Sequence, residues 1–301
     1  MTSDLLGQIV AGMAADFADP QDDAEDTRRK MAPLHGHPLA ADSTVRRVEV
    51  GGIPAAWLFR PSSDRQRGAA LFLHGGAFVS CDLEDYLFYA EYVADWVGVP
   101  VLIVEYRLAP EHPFPAALDD CLAAYRGFLA EGGAPERLIC IGDSCGGGLA
   151  LSLVMAARDA GLALPAGVVS LSGWLDLDTS GYGPGPRRGR DPFITEGFLR
   201  ARARDYLGAN GAVHGGSASP ARGDPAGLPP LLLQVGETDL CRIDAERMAA
   251  RAQAVGTPAR LDVVAGGVHA QVAVLLDGKI VSAPAFDAIV VLRVMQSPRS
   301  R

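Results

Sequence analysis

Ser144 stands between two glycines in Gly142-Asp143-Ser144-Cys145-Gly146, a spacing that nucleophilic chemistry can use. A serine hydroxyl is a weak nucleophile. It needs a base within hydrogen-bond reach, and the base needs an orienting partner. Small residues on both sides let a strand turn sharply into a helix. The serine is then held proud of the sheet, and the backbone N–H of Cys145 is aimed at any oxyanion forming beside it. The flanks agree with this geometry. Residues 138–141 form an apolar run of strand length, and the Gly/Ala/Leu-rich run to Ala157 predicts a buried helix. The bland alternative is a Gly-rich corner with an ordinary N-cap serine.

Two histidines follow Ser144. His214 sits in a Gly/Ser loop with no strand before it. His269 follows a predicted strand (259–264) and Gly266-Gly267, at the sheet end where Ser144 lies, and is the favoured base. The acid is sought after a strand between the serine and the histidine, the chain order that goes with a serine on such a strand–turn–helix. Glu237 and Asp239 follow the strand at 228–235. Asp239 is the favoured acid, with Glu237 as its alternative. Asp244 reads as a helix N-cap, and Asp262 as a surface residue of its strand.

Upstream, a strand at 69–73 ends in His74-Gly75-Gly76-Ala77-Phe78. Glycines there let backbone N–H groups point into a pocket and bind a developing negative charge. The amides do that work, while His74 ties the loop down.

The elements that must position these groups alternate. Strands are predicted at 45–50, 55–59, 69–73, 100–105, 138–141, 166–171, 228–235 and 259–264. Helices are predicted at 86–97, 116–131, 145–157, 196–207, 244–255 and 283–295. Gly51-Gly52 marks a hairpin. The alternation predicts one α/β domain: a mostly parallel sheet with helices on both faces. Residues 1–45 read as partly amphipathic helix with breaks at Pro20, Pro33 and Pro38, and 175–225 as an insertion over the pocket.

Composition excludes several functions. The net charge is −9, and the longest basic run is Arg28-Arg29-Lys30, so nothing recruits nucleic acid. Arg187, Arg188 and Arg190 share a Gly/Pro loop that reads as solvated first and as a contact for an anionic substrate second. No apolar run reaches the length of a membrane span. The five cysteines make no CxxC pair, and no His/Cys spacing suits zinc. Reduced thiols are expected, and with them a cytoplasmic protein. No Lys or Arg precedes the first apolar patch, so a signal peptide is not expected. No cofactor or metal is called for.

The chain resembles the hormone-sensitive-lipase family of α/β-hydrolases, the bacterial family IV esterases. Three stretches carry the resemblance: His74 to Phe78, the run Glu105-Tyr106-Arg107-Leu108-Ala109-Pro110-Glu111 with Pro113-Phe114-Pro115-Ala116, and Gly142 to Gly147. The order of Asp239 and His269 supports it. The resemblance implies an α/β-hydrolase fold over residues 46–301 with an N-terminal helical cap (1–45), and a carboxylic-ester hydrolase acting on short-to-medium acyl groups. It implies Ser144 as nucleophile, His269 as general base and then acid, and Asp239 as its orienting partner. Gly75, Gly76 and Cys145 would supply the oxyanion N–H groups, and Asp143 would support the loop.

Departures from the family pattern are Ala77 as the fourth residue of the HGGG loop and Cys145 where alanine is usual. Thr238-Asp239-Leu240-Cys241 replaces Asp-Pro-Leu, and Ala270-Gln271 stands where an aromatic commonly follows the histidine. An extra thiol at Cys145 is expected to narrow the pocket or sensitise it to oxidation. A deacetylase or lactonase acting on a specialised metabolite uses the same machinery. A small-molecule receptor and an elimination enzyme are further readings. A homodimer through the last strand and helix is compatible with the pattern.

Overall fold

Gly51 and Gly52 turn the first hairpin, at φ 62° and 82°. They join β1 (Thr44–Val50) to β2 (Ile53–Phe59) in antiparallel register. The computed structural model describes residues 19–32, 38–182, 191, 193–209 and 216–269, together with the backbone of 275–276 and 279–280. His214, the Arg187–Arg190 loop, the expected last helix and most of the first twenty residues lie outside that range.

The remaining strands are β3 (Ala69–Leu73), β4 (Val101–Val104), β5 (Leu138–Asp143), β6 (Gly167–Leu171), β7 (Leu231–Gly236) and β8 (Ala259–Val264). They complete an eight-stranded sheet of order β1-β2-β4-β3-β5-β6-β7-β8. From β4 to β8 all neighbours are parallel. Two further short strands, β9 (Leu275–Leu276) and β10 (Lys279–Ile280), pair separately. Every residue of β4 to β7 is buried, as expected of parallel strands covered on both faces. On β1 only Val50 is buried, because that strand is the sheet edge.

The helices are α1 (Ala24–Met31), α2 (Leu87–Val97), α3 (Ala116–Ala130), α4 (Cys145–Asp159), α5 (Glu196–Leu207) and α6 (Arg242–Ala254). Strand residues alternate between two cores. Leu71 and Leu73 join α3, α4 and α6 on one face. Ala70 and Phe72 join α2 on the other. Because the strands run parallel, the segments after β3, β5, β7 and β8 all emerge at one edge of the sheet. Those segments contain Gly75, Gly76, Ser144, Cys145, Glu237, Asp239 and His269.

α1 has the sequence of a well-capped helix. Asp23 accepts the Asp26 N–H, acids open it and Arg28, Arg29 and Lys30 close it, matching the helix dipole. Two arginines fix its place. Arg28 donates to the carbonyls of Val79 (2.7 Å) and Ala109 (3.1 Å) and pairs with Glu111. Arg202 of α5, 2% exposed, donates to the carbonyls of Asp22 and Asp23 and to the Thr27 hydroxyl.

Candidate active site

The turn from β5 into α4 puts Ser144 at φ 51° and ψ −123°, a conformation rare for a residue with a side chain. The end of β6 holds it there. The Ser144 N–H donates to Leu171 O at 2.8 Å, and Ser144 O accepts from Trp174 N at 2.9 Å. The turn requires glycine at 146, where a Cβ would meet the Leu73 carbonyl oxygen at 2.1 Å. Ser144 itself remains partly exposed.

Three sequence-predicted residues converge there. Ser144 Oγ lies 2.9 Å from His269 Nε2, and His269 Nδ1 lies 3.0 Å from Asp239 Oδ1. The loops after β7 and β8 are laced together to make this possible. Glu237 N donates to Val264 O, and both the amide and the hydroxyl of Thr238 donate to Gly267 O. Asp239 is wholly buried, and its Oδ1 also accepts the Cys241 N–H at 2.8 Å. Burial opposes an imidazolium at His269. The Asp239 carboxylate outweighs it, helped by Asp191 and Asp143, so the His269 pKa stands above its ordinary value.

Glu237, the alternative acid, is exposed and accepts the Gly266 N–H. Asp244 is not an N-cap. It sits in the first turn of α6, wholly buried, and its Oδ2 accepts from Leu175 N, Asp176 N and the Tyr182 hydroxyl. Tertiary donors from the segment after β6 claimed the carboxylate. Asp262 pairs with Arg260 at the surface side of β8.

The loop after β3 lies beside Ser144. His74 is fully buried and stacks on Tyr106 at 4.1 Å, and the Tyr106 hydroxyl donates to His74 O. Burial pushes the His74 imidazole down to about 4, so it is neutral and structural. Gly76 takes φ 107°, and a Cβ there would meet Ser80 O at 2.1 Å. Ala77 and Phe78 also take positive φ, 54° and 66°. Among the described residues the N–H groups of Gly76 and Cys145 have no protein acceptor. The Asp143 carboxylate lies against Gly75, where a Cβ would meet its Oδ2 at 2.6 Å. Asp143 is buried, its Oδ2 accepts from the Tyr86 hydroxyl at 3.0 Å, and burial raises it to about 7.

The Cys145 thiol does not enter the pocket. It lies under the loop, fully buried, and its Sγ accepts the Phe78 N–H at 3.2 Å. The expectation that it narrows the pocket is therefore corrected. A helix residue at the first position points its side chain back toward the preceding strand ends, not toward the ligand.

A family profile described as the alpha/beta hydrolase fold matches residues 70–273. An acetyl-hydrolase of Streptomyces hygroscopicus is 41% identical over 212 residues, 70% of each chain. The esterase LipU of Mycobacterium tuberculosis is 34% identical over 246 residues, 77% of this chain and 80% of its own. A crystal structure of an esterase from the bacterial hormone-sensitive lipase family superposes with a TM-score of 0.83 at 34% identity, covering 96% of this chain and 95% of that one. The chain belongs to the α/β-hydrolase family, in its hormone-sensitive-lipase branch.

In this hydrolase the run from Glu105 to Glu111 is structural. Tyr106 supports His74, Arg107 makes a bidentate pair with Asp120, and Glu111 receives Arg28 from α1. Phe78 stacks on Tyr206 of α5 at 3.7 Å, joining that helix to the loop. Asp239, Cys241 and His269 bring three ligand-type atoms within 4.8 Å of one another. That donor set suits a proton relay better than a cation. His269 Nδ1 and Asp239 Oδ1 face each other, and burial pushes the Cys241 thiol well above its ordinary value.

Sequence reasoning missed two residues near this site, Asp191 and Tyr86, and the structural use of Asp244. Asp191 carried one local signal. An Asp-Pro step followed by Thr195 and Glu196 reads as a turn feeding a helix N-terminus.

Proposed function

We propose that this esterase-family hydrolase cleaves carboxylic esters by acyl transfer through Ser144. The carrying observation is the continuous contact Ser144–His269–Asp239 at 2.9 and 3.0 Å. As Ser144 Oγ attacks the ester carbonyl, its proton passes to His269 Nε2. Asp239 orients the ring and stabilises the imidazolium. The tetrahedral oxyanion receives the N–H groups of Gly75, Gly76 and Cys145. His269 then gives its proton to the leaving alcohol. A water molecule loses a proton to His269 and attacks the acyl-enzyme, releasing the acid and restoring Ser144.

Two segments would cover the site. Residues 1–45 and 175–225 are proposed as the cap, supported by the clamp of Arg202 on α1 and by Tyr206 on Phe78. Short-to-medium acyl groups are the proposed substrates. The name of the 41% identical relative, acetyl-hydrolase, favours an acetyl ester or amide of a metabolite as the second reading. Among the described residues no helix is long and apolar enough to cross a membrane. All five cysteines are unpaired and buried, which fits the proposed cytoplasmic setting.

The test is hydrolysis of an aryl ester series from acetate to decanoate by the wild type and Ser144→Ala. The serine reading requires a loss on the order of 10⁶-fold in kcat for the variant. It also requires an acyl adduct on Ser144 in trapped wild type. Turnover that survives in Ser144→Ala would sink it.

A further inference from the structure

Asp191 is a further buried carboxylate at this site, 8% exposed. It comes from the segment between β6 and α5, distant in sequence from the other members. Its Oδ1 accepts the N–H groups of Phe193 (2.9 Å) and Ile194 (3.3 Å), which shapes the turn leading into α5. Its Oδ2 accepts the Leu240 N–H at 3.0 Å. The next amide along, that of Cys241, donates to Asp239 Oδ1. Two consecutive amides of one turn are thus divided between two carboxylates, one belonging to the turn and one brought from outside it. Asp239 Oδ2 is buried and has no hydrogen-bond partner among the described residues. The acid is therefore fixed through one oxygen and through the shape of its turn.

We propose that Asp191 is a positioning residue of the site: its buried carboxylate holds the Leu240 amide and so fixes the turn that presents Asp239 to His269. The inference deepens the reading of Ser144, His269 and Asp239 as the reacting set and rests on it. It also gives the segment before α5 a direct hold on the acid. Burial of a charge next to another carboxylate is costly unless the charge has work to do. Here the first cause of the raised Asp191 pKa, about 6, is burial, and the second is Asp239. Above that pH Asp191 adds a second negative charge behind His269. The titratable groups facing His269 are Asp239, Asp191 and Asp143. The Cys241 thiol stands beside both Asp239 and Asp191.

The experiment compares wild type, Asp191→Asn and Asp191→Ala in two ways. The first is the pH profile of kcat/KM for an aryl acetate. The second is the NMR titration of His269, assigned with His269→Gln, which does not depend on turnover. Asp191→Asn removes the charge and replaces one of two accepting oxygens with an NH2 group, so it cannot receive the Leu240 N–H and the Phe193 and Ile194 N–H groups together. It should lower the His269 pKa and move the acid limb down by about 0.5 pH unit. Asp191→Ala also orphans the Leu240 amide and loosens the acid. It should lower kcat by about 10- to 100-fold with KM little changed. Should Asp191→Ala fail to fold, Asp191→Asn carries the test. An unchanged His269 titration and acid limb in Asp191→Asn overturns the proposal. Failure of the serine reading itself would show separately, as turnover retained in Ser144→Ala.

Discussion

Cys145 Sγ accepts the Phe78 N–H at 3.2 Å, so the side chain and the backbone of one residue serve opposite sides of the same loop. The backbone N–H, next to Ser144, has no protein acceptor among the described residues, and the thiol holds the loop through the Phe78 amide. Phe78 and Ala77 sit at positive φ, each costing on the order of 1 kcal/mol or more, and such strain persists only where neighbours over-determine it. Burial pushes the thiol up to about 12, leaving no thiolate at neutral pH. Two outcomes follow. Iodoacetamide at pH 8 leaves native activity unchanged, and Cys145→Ala keeps ester turnover within a few-fold. That variant loses about 1–2 kcal/mol of stability, because the Phe78 amide is orphaned. Rapid alkylation of Cys145 in folded protein, read by mass spectrometry, would contradict this account.

Asp239 and Glu237 are two residues apart, yet only Asp239 reaches His269. Asp239→Asn should drop kcat about 10⁴-fold, as expected when the orienting partner favours the wrong tautomer. Glu237→Gln should leave kcat within about twofold and slightly loosen the Gly266 turn. Steady-state kinetics of the pair decides the acid, and equal losses in both variants would overturn the assignment.

A neutral His269 is needed to accept the serine proton. Its pKa is raised, so activity should fall as pH drops through a midpoint above the ordinary imidazole value. A kcat/KM profile whose acid limb lies below the ordinary imidazole value would be incompatible with the contact to Asp239.

Asp244 supplies a stability counterpart. Burial raises it to about 7. Between its ordinary value near 3.8 and about 7, the folded state binds more protons than the unfolded one. Its contribution is present below pH 4 and is lost as pH rises through about 7. Urea unfolding should therefore find wild type gaining on Asp244→Asn at pH 5 relative to pH 7.5. The acceptor for Leu175, Asp176 and Tyr182 survives in that variant. A pH-independent difference would mean Asp244 does not titrate in this range.

Arg202 is buried and bridges α1 to α5, taking two carbonyls and a hydroxyl of the N-terminal helix. Removing it takes the donor from the Asp22 carbonyl and one of three donors from the Asp23 carbonyl, which keeps the Thr27 N–H and hydroxyl. Arg202→Ala should cost about 3 kcal/mol locally. Hydrogen exchange should then speed up across residues 19–32 while β3 to β7 stay protected. Uniform acceleration over the whole sheet would show that the clamp supports the entire fold instead.

The strand–turn–helix at Ser144, the Gly51-Gly52 hairpin and the strand at 69–73 were legible because each is set by local forces. Apolar runs specify burial, and glycines allow turns that other residues strain to make. The preference for His269 over His214 was legible for the same reason, since a strand and a glycine pair precede it. The partners of a buried side chain are not local. Asp244 reads as a cap until Leu175, Asp176 and Tyr182 arrive from 69, 68 and 62 residues away and claim it. Cys145 reads as an extra thiol beside the serine until the start of α4 turns its side chain under the loop. Asp191 carries no pattern that points to Leu240, because the contact exists only after β6, α5 and β7 are packed. Apolar periodicity and turn residues were enough for the strands and helices of the described sheet and for the residue types at its edge. The tertiary structure alone decided which donors meet which carboxylates, because a buried polar group takes its partner from whatever packing brings within 3 Å or so of it.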